Sequence, residues 1–347
     1  MRTRIARLHA KHDIRLEELD TARPGAGEVL LRMGAGGICG SDLHYFHDGG
    51  FGPIRVKEPI ILGHEAAGTI EALGDGVSGL TVGQKVAVNP SRPCGECKYC
   101  AEGMPIHCLA MRFSGSALRF PHEQGLFREW LVAPAAQCVP LAGERSLSEG
   151  ACAEPLAVCL HAGKRAGDLS GKRVLVTGAG PIGVLCAAVA KAAGATEIVV
   201  TDLQHAALAV AAKMGATRTI NVAEDREAMA GYAADKGHFD IAFECSAAAP
   251  ALASAIHAVR PRGRIVQVGV TGDLALPINV LVGKEIELVG THRFYEEFAE
   301  AVDAINRGVI PVAHMVTHSF GLDQLEEAFQ IAGDRSQAVK AQIVLNV

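Results

Sequence analysis

The stretch GGICGSDLHYF, residues 36–46, brings a thiol, a hydroxyl and an imidazole together in an apolar, glycine-rich turn. Cys39 can bind a metal ion as a thiolate, and Ser41 and His44 can each pass on a proton. A cysteine that only fills space in a core needs no such neighbours. The stretch therefore indicates a metal site that handles protons, with Ser41 and His44 as the predicted relay toward solvent.

Three further residues could complete the ligands of that site. His64 and Glu65 follow the short apolar run PIIL, and Glu154 lies in ACAEPLAV. A thiolate, an imidazole and a carboxylate can hold zinc with one position open, where a bound hydroxyl becomes acidic. Taken singly, Cys39 is a core thiol, His64 a polar turn residue and Glu154 a helix-capping acid. The combination favours a catalytic zinc, and the residues alone leave both carboxylates open as its third protein ligand.

A second predicted metal site lies in the segment CGECKYC and the cysteine that follows it. Four thiolates can close a tetrahedron around zinc and leave no position for substrate, so this zinc is structural. A redox-active CxxC pair is expected beside a thioredoxin-like βαβ unit, which the surrounding sequence does not indicate. We therefore expect two zinc ions per chain. The structural ligands are Cys94, Cys97, Cys100 and Cys108.

The motif GAGPIG, at 178–183, has the G-x-G-x-x-G form of a dinucleotide loop. A buried strand leads into it, an apolar helix leads out, and an acid ends the following strand, as such a site requires. A similar start, GAGGIC at 34–39, has a cysteine in place of the third glycine and no periodic helix after it, so we reject it. The predicted cofactor contacts are Gly178, Gly180, Pro181, Ile182, Gly183, Asp202, Val268 and Val270.

Asp202 also bears on which dinucleotide binds. Its carboxylate can accept hydrogen bonds from ribose hydroxyls and would repel a 2′-phosphate. The following residues, LQHAA at 203–207, offer no arginine to a phosphate. NAD is therefore the expected cofactor, with NADP as the alternative because His205 is close by.

The secondary structure predicted for the elements that position these residues changes near residue 171. Before it, brief apolar runs such as EVLLRM and QKVAV alternate with glycine-rich turns, which predicts a β-rich unit. After it, strands and helices alternate from KRVLVTG to EIELVGTH, the pattern of a doubly wound parallel sheet. The helix LDQLEEAFQIAG and the strand AQIVL come last, and we expect this short tail to return to the first unit. The fold class is therefore α/β with a β-rich partner domain.

The composition excludes several classes of protein. A formal net charge of −5 argues against a nucleic-acid partner. The charged N-terminal residues lack the apolar core of a signal peptide, and no run reaches the roughly 18 apolar residues of a membrane span. Ten cysteines without a secretion signal argue for metal ligands and core thiols. A cytoplasmic protein that acts on a small molecule, with no membrane partner, is expected.

The segments CGSDLH, GHE, the four-cysteine lobe, EPLAV and GAGPIG occur in this order, and together they resemble the zinc-dependent medium-chain dehydrogenase family. The resemblance spans nearly the whole chain. It implies a GroES-like catalytic domain at 1–153 and 294–347, and a Rossmann dinucleotide-binding domain at 154–293. It also implies a homodimer or homotetramer that oxidises CH–OH groups with a nicotinamide cofactor.

Within that family the sequence resembles the polyol branch, because Glu154 replaces a cysteine ligand common in simple alcohol dehydrogenases. Relatives of that branch tend to use the glutamate of GHE and to hold the second one through water. The resemblance thus implies Glu65 as the third ligand, with Glu154 touching the ion directly or through water. Because adjacent side chains diverge along an extended strand, His64 and Glu65 need a local turn to share one ion.

The stretch MRFSGSALRFPH resembles members of the branch that act on sugar acids. A sugar acid carries a carboxylate, which arginine can bind through two parallel hydrogen bonds. Arg112, Arg119 and Arg293 are the candidates, and ordinary salt bridges are the alternative for each. Polyol relatives carry an arginine near the substrate at the position of Arg293. A neutral-polyol dehydrogenase is the alternative enzyme, and a non-catalytic NAD-binding protein is disfavoured by the open metal site.

Overall fold

The computed structural model describes residues 2–225 and 227–346. The N-terminal strands are β1 (Arg2–Ala10), β2 (Asp13–Asp20), β3 (Glu28–Gly37), β4 (Gly50–Phe51), β5 (Ile54–Arg55), β6 (Ile60–Ile61), β7 (Glu65–Leu73), β8 (Lys85–Val88), β9 (Ser91–Arg92), β10 (Arg112–Phe113), β11 (Trp130–Pro134) and β12 (Cys138–Pro140). The helices among them are α1 (Gly40–Asp48) and α2 (Lys98–Ala101), with 3₁₀ turns at Pro105–His107 and Ala135–Gln137.

The rest of the chain alternates between helices and strands. Its helices are α3 (Leu147–Ala151), α4 (Ala153–Ala166), α5 (Pro181–Ala192), α6 (His205–Met214), α7 (Glu227–Ala233), α8 (Ala249–Ala258), α9 (Ile278–Gly283), α10 (Glu297–Asn306) and α11 (Leu325–Gly333), with 3₁₀ turns at Ala234–Lys236 and Val312–Met315. Its strands are β13 (Arg173–Thr177), β14 (Glu197–Asp202), β15 (Arg218–Asn221), β16 (Phe239–Glu244), β17 (Val259–Gln267), β18 (Glu287–Gly290), β19 (Val316–Gly321) and β20 (Lys340–Val344).

A mixed seven-stranded sheet organises the first unit. Its order is β12-β8-β7-β3-β20-β19, and β11 also pairs with β3. In the register of this sheet, Gly37 at the end of β3 lies opposite Glu65 of β7 on one side and Gln342 of β20 on the other. The C-terminal strands therefore return to the first unit, as the sequence predicted, and they reach the same place as Glu65.

The second unit is a six-stranded parallel sheet in the order β15-β14-β13-β16-β17-β18. Its central strands β13, β14 and β16 are mainly apolar runs because helices cover both faces. Val174 and Val176 face one buried cluster, and Leu175 faces another, as the two-residue repeat of a strand requires. The register aligns Thr177 with Thr201 and Glu244, so the carboxyl ends of the three central strands form one edge. The predicted fold class is confirmed.

The core beneath this sheet continues into the first unit. Ala67 and Leu141 of the first unit belong to the same buried cluster as Leu156 of α4 and Val174 of β13. A separate cluster around Phe127 and the helix α11 fills the interior of the first unit. The predicted domain bounds at 153/154 and 293/294 remain a prediction. In the described parts of the chain, every helix falls short of the length and apolarity needed to cross a bilayer.

Candidate active site

Cys39 lies where β3 gives way to α1. It is the N-cap residue of that helix, with extended backbone angles, and the helix begins at Gly40. Asp42, three residues on, accepts a hydrogen bond from the Cys39 N–H to its Oδ2 at 3.0 Å. This cap fixes the direction in which the chain enters the helix, and thereby the position of the thiol.

His64 and Glu65 reach the same place from a break between two strands. Gly63 has φ +90°, in the left-handed region that favours glycine, and β7 begins only at Glu65. A Cβ at Gly63 would lie 2.4 Å from the ring of Phe127, so a side chain there would also clash. The turn that lets two adjacent side chains share one ion is therefore present.

The three predicted ligands form one cluster. Donor atoms of Cys39, His64 and Glu65 all lie within 4.8 Å of one another, and the histidine and glutamate are buried. A thiolate, an imidazole and a carboxylate are ligands that zinc prefers. These residues fit a zinc ion, and three protein ligands would leave a position for a substrate oxygen.

Lys340 of β20 neutralises part of the negative charge in this cluster. Its Nζ lies 2.6 Å from Glu65 Oε1, 2.5 Å from Oε2 and 3.0 Å from the carbonyl oxygen of Ile38. Burial lowers the pKa of Lys340, but Glu65 and Cys39 outweigh it and the pKa is raised. The ammonium thus lies close to both carboxylate oxygens of Glu65, although only Oε1 has hydrogen-bond geometry.

Asp42 is a site residue that sequence reasoning missed. It is fully buried, its Oδ1 accepts from the Gly63 N–H at 3.1 Å, and the same oxygen lies 3.8 Å from His64 Nδ1. Burial lowers the pKa of His64, but the charges of Asp42 and Cys39 raise it well above its ordinary value. At 3.8 Å the two groups make an ion pair without a hydrogen bond, so Asp42 acts on His64 through its charge. The segment CGSD could have indicated this role, because it places an acid at the third helical position after the N-cap residue Cys39.

Glu154 lies close to the cluster but outside it. It is buried in the first turn of α4, and the group of three donors does not include it. Burial raises its pKa to about 7, with Glu65 raising it further and His64 lowering it. Glu154 is therefore within electrostatic reach of His64 and Glu65, and its direct or water-mediated contact with the ion remains a prediction.

Ser41 and His44 both lie on α1. Three residues apart on a helix, they share one face. Ser41 is half-buried next to Cys39, whereas His44 is exposed and its Nδ1 lies 2.9 Å from Asp48 Oδ2. The pair therefore runs from the ligand cluster toward the surface, and the proton relay remains a prediction.

The four cysteines of the second metal site also converge. The Sγ–Sγ distances are 3.6 Å for Cys97–Cys100, 3.9 Å for Cys97–Cys108 and 3.4 Å for Cys94–Cys108. Four sulfurs around zinc at about 2.3 Å would lie about 3.8 Å apart, so the set fits the ion. Backbone N–H groups also point at the sulfurs, and that of Leu109 is the main cause that lowers the pKa of Cys97 to about 6. The arrangement suits a structural zinc.

The GAGPIG motif occupies the turn from β13 to α5. Gly178 has φ +89°, Gly180 is the N-cap residue and Pro181 opens the helix, with Ile182 and Gly183 in its first turn. A Cβ at Gly183 would lie 1.8 Å from the Gly178 carbonyl oxygen, so only glycine fits. The free N–H groups of this helix end form the cradle that a pyrophosphate requires.

Asp202 and two valines complete the predicted cofactor contacts. Asp202 Oδ2 accepts from the Ala179 N–H at 2.6 Å, which ties the carboxylate to the glycine loop. Val268 and Val270 follow the end of β17, and Val270 is exposed. Sequence reasoning missed Glu244, a fully buried acid at the end of β16 that accepts from Gln267 Nε2 at 2.6 Å. These residues all lie along the carboxyl edge of the parallel sheet, where nucleotides bind in such folds.

The three predicted substrate arginines have different surroundings. Arg112 pairs with Glu123 at 2.5 Å, and Arg119 donates to the carbonyl oxygens of Met111 and Leu109. Arg293 lies over the ring of Phe113, 4.6 Å from its centroid.

The contacts of Arg293 connect it to the ligand cluster through the Phe113 ring. The Phe113 ring centroid lies 5.5 Å from that of His64. Within residues 2–225 and 227–346, no carboxylate forms a salt bridge with Arg293. Burial lowers the pKa of Arg293, and Glu154 raises it in part.

Comparisons with known proteins agree with this geometry. Residues 25–143 match the family described as "Alcohol dehydrogenase GroES-like domain", and 181–307 match "Zinc-binding dehydrogenase". The chain is 43% identical over 317 residues to the L-idonate 5-dehydrogenase (NAD(P)(+)) of Escherichia coli (strain K12), covering 91% of each chain. It is 35% identical to the sorbitol dehydrogenase of Bacillus subtilis (strain 168), covering 95% of this chain and 93% of that one.

A solved structure gives the same result. The crystal structure of L-idonate 5-dehydrogenase from Escherichia coli K-12 matches with a TM-score of 0.94 and 40% identity, covering 99% of this chain and 98% of that one. Both units and their arrangement are therefore shared with that protein.

Proposed function

Because this chain belongs to the zinc-dependent medium-chain dehydrogenase family, within its polyol branch, we propose that it oxidises a secondary alcohol of a sugar acid with NAD as hydride acceptor. The proposed substrate is L-idonate and the product 5-ketogluconate. The carbon-bound hydrogen leaves as a hydride to the nicotinamide, the hydroxyl proton leaves to solvent, and the products are a ketone, NADH and a proton.

The residues of the ligand cluster hold the metal. Cys39, His64 and Glu65 would bind zinc, and Glu154 would contact it through water. When bound, the ion acidifies the substrate hydroxyl. Asp42 acts on His64 through its charge, and Ser41 passes the released proton to His44, which is open to solvent.

The cofactor lies along the carboxyl edge of the parallel sheet. The glycine loop takes the pyrophosphate, and Asp202 accepts hydrogen bonds from the ribose hydroxyls. The acid favours NAD, and the relative named for both cofactors keeps NADP as the alternative. Val268 and Val270 lie at the same edge, next to the place of the nicotinamide.

The free guanidinium of Arg293 is the observation that carries the sugar-acid proposal. The charge of Glu154 acts on it, burial partly shields it from water, and within residues 2–225 and 227–346 no carboxylate forms a salt bridge with it. A cation in that setting binds a substrate carboxylate more strongly than one at the surface. A neutral polyol offers it no charge, although the sorbitol dehydrogenase relatives favour that substrate as the alternative.

We also propose a homodimer or homotetramer in solution. Strand β18 is an edge of the parallel sheet and leaves Leu288 exposed, and Val282 of the neighbouring helix α9 is 66% exposed. An apolar sheet edge of this kind suits pairing with a second copy.

The test is NADH formation by the zinc-replete protein, with L-idonate and sorbitol at matched concentrations. We expect kcat/KM to favour L-idonate by tenfold or more, which corresponds to about 1.4 kcal/mol in the transition state. Arg293→Ala should remove that preference by raising KM for L-idonate alone. Arg112→Ala and Arg119→Ala are the matched variants, and we expect both to keep it.

Equal or better turnover of sorbitol would contradict the sugar-acid assignment and leave the dehydrogenase chemistry in place. A selective loss for L-idonate in the Arg112 or Arg119 variant would move the carboxylate site to that residue.

A further inference from the structure

Three thiols of the second unit meet beside the glycine loop. Cys159 lies on α4, Cys186 lies on α5, and Cys245 directly follows β16. Cys245 Sγ donates to Cys186 Sγ at 3.9 Å, and Cys159 Sγ donates to the carbonyl oxygen of Ile182 at 3.4 Å. Cys159 and Cys186 are fully buried, whereas Cys245 is partly exposed. Three different elements thus each contribute one sulfur to a single group, which we call the thiol cluster.

Cys186 is the sulfur that its neighbours make reactive. Hydrogen bonds from Cys159 and Cys245 lower the pKa of Cys186 to about 5, although burial raises it. The pKa of Cys245 is raised well above its ordinary value, mainly by its hydrogen bond to Cys186. A thiolate is the form of cysteine that reacts with oxidants, and a second thiol in contact with it can complete a disulfide. Cys245 lies at the carboxyl edge of the parallel sheet and is partly exposed, so a small oxidant can reach the cluster there.

The thiol cluster is packed directly against the glycine loop. The Cys245 N–H donates to the Thr177 carbonyl oxygen at 2.9 Å, and a Cβ built on Gly183 would lie 3.6 Å from the Cys245 Cβ. The next residue, Ser246, packs on the loop itself, because a Cβ built on Gly178 would lie 3.0 Å from the Ser246 nitrogen. A displacement of Cys245 is therefore passed on to the loop, since closely packed groups cannot absorb it.

Two simpler roles account less well for the thiol cluster. Thiols that only fill a core need volume and no contact between sulfurs, whereas Cys186 accepts a hydrogen bond from Cys245. A metal ion needs three or more donors around one point. Within residues 2–225 and 227–346, the donor groups that meet this requirement are the two predicted zinc sites, and neither contains a sulfur of the thiol cluster.

We propose that Cys186 and Cys245 form a reversible disulfide when the protein meets a hydroperoxide, and that this disulfide weakens dinucleotide binding. The Cys186 thiolate attacks the peroxide, so that a sulfur–oxygen bond forms, the oxygen–oxygen bond breaks, and the leaving oxygen takes a proton from solvent. The Cys245 sulfur then attacks the sulfenic acid on Cys186, and the hydroxyl leaves as water with the Cys245 proton. The two thiols are oxidised, the peroxide is reduced, and a dithiol reverses the reaction.

The new bond displaces the residues that pack on the loop. The two sulfurs lie 3.9 Å apart and must approach each other by about 2 Å to bond. Because Cys245 and Ser246 contact the loop, this movement shifts the glycines away from the position that a pyrophosphate requires. The effect on binding rests on the proposed function, because that function supplies the dinucleotide.

The experiment maps the disulfide and measures NADH binding in the same samples. The zinc-replete protein is treated with hydrogen peroxide, its free thiols are alkylated, and it is digested with trypsin. Cys186 is the only cysteine of peptide 174–191, and Cys245 is the only one of 237–262, so these two peptides linked together identify the bond. NADH is titrated by its fluorescence, and bound zinc is counted because zinc thiolates can also be oxidised.

In the wild type we expect the linked peptides to appear and the Kd of NADH to rise by about tenfold at an unchanged zinc content. Dithiothreitol should reverse both changes. Cys245→Ser should bind NADH like the reduced wild type and keep that affinity in peroxide. Cys138→Ser is the matched control, because Cys138 is buried in the core of the first unit, and it should respond to peroxide as the wild type does.

The absence of the linked peptides, or an unchanged Kd in protein that carries the link, would overturn the inference. A link of 174–191 to peptide 146–164, which contains Cys159, would do so as well. So would an equal loss of affinity in Cys245→Ser, because another thiol would then be responsible. If the reduced wild type fails to bind NADH, the proposed function fails, whereas the linked peptides still report on the two thiols, so the two failures are distinguished.

Discussion

Asp42 joins the two chain segments that supply the catalytic ligands. Its carboxylate accepts from the N–H of Cys39 at 3.0 Å and from that of Gly63 at 3.1 Å. Cys39 and His64 are therefore held at a fixed separation by hydrogen bonds that do not involve the metal. A site prepared in this way keeps its geometry when a hydroxyl enters the open position.

At the residue scale, Cys39→Ser tests the assignment of the catalytic zinc. A hydroxyl is a much weaker ligand than a thiolate, so we expect turnover to be abolished and bound zinc to fall from two ions per chain to one. NADH binding should remain nearly unchanged, because the glycine loop lies in the other unit. Zinc analysis, activity and NADH titration measure the three quantities.

Cys138→Ser is the matched control for this variant. Cys138 is buried outside both cysteine sites, and its sulfur already points at the carbonyl oxygen of Pro134, which can accept from a serine hydroxyl. It should keep both ions and full activity. Turnover retained in Cys39→Ser would remove the thiol from the catalytic site.

Local sequence patterns predicted the residues that carry distinctive spacing. The glycine loop, the four cysteines and the adjacent His64 and Glu65 were all found in this way, and the structure places each set together. Lys340 and Glu244 were not found. Lys340 contacts Glu65 although the two residues are 275 positions apart in the sequence. A local sequence pattern does not indicate a contact over that separation.

At the scale of elements, Glu297 fastens α10 to α4. Its buried carboxylate lies 3.1 Å from both His161 Nδ1 and Lys164 Nζ, and it accepts from the Tyr295 N–H at 2.9 Å. Burial raises the pKa of Glu297, but these hydrogen bonds lower it to about 2. The ionised acid therefore holds the two helices together at neutral pH.

This predicts a pH-dependent effect of Glu297→Gln. A pKa below the ordinary value means that the stabilisation is complete above pH 4.5 and is lost as the pH falls toward 2. We expect the variant to lose roughly 1–3 kcal/mol at pH 7 and progressively less below pH 4.5. Urea unfolding at a series of pH values measures the difference.

Glu300→Gln, on the same helix, is the control. Its half-exposed carboxylate also pairs with Lys164, at 2.7 Å, and exposed pairs contribute less than about 1 kcal/mol. A loss at pH 7 equal in the two variants, or one that does not change with pH, would contradict the role of Glu297.

The strands and helices of the second unit were predicted well because their apolar runs are continuous. The N-terminal hairpin of β1 and β2 was not. In β1, Arg2 and Arg4 are exposed while Thr3 and Ile5 are buried, so the first half of the segment alternates as a strand should. The charged residues on the exposed face of β1 made this alternation difficult to recognise in the sequence. Every residue of β2 is at least partly exposed to solvent.

At the scale of the whole molecule, one buried cluster spans both units. Ala67 and Leu141 on one side and Leu156 and Val174 on the other belong to it, so neither unit can lose its packing alone. We therefore expect a single cooperative unfolding transition. Trp130, the only tryptophan, lies in β11 and reports on the first unit, whereas far-UV circular dichroism reports mainly on the helices of the second.

The two signals should give the same midpoint in thermal or denaturant unfolding. Added ADP-ribose should raise both midpoints together, because a ligand that binds only the folded state stabilises all that unfolds with it. A tryptophan transition that separates from the helical one would show that the units unfold independently.

The return of β20 to the first sheet has a consequence for the order of events during synthesis. Glu65 and its partner Lys340 are 275 residues apart in the chain. At about 5–20 residues per second, a ribosome needs roughly 14–55 seconds to make the chain between them. The second unit is synthesised in that interval, while the strand that completes the first sheet does not yet exist. The surroundings of Glu65 are thus completed only after β20 has been made, so Lys340 can balance the charge of that carboxylate only from then on.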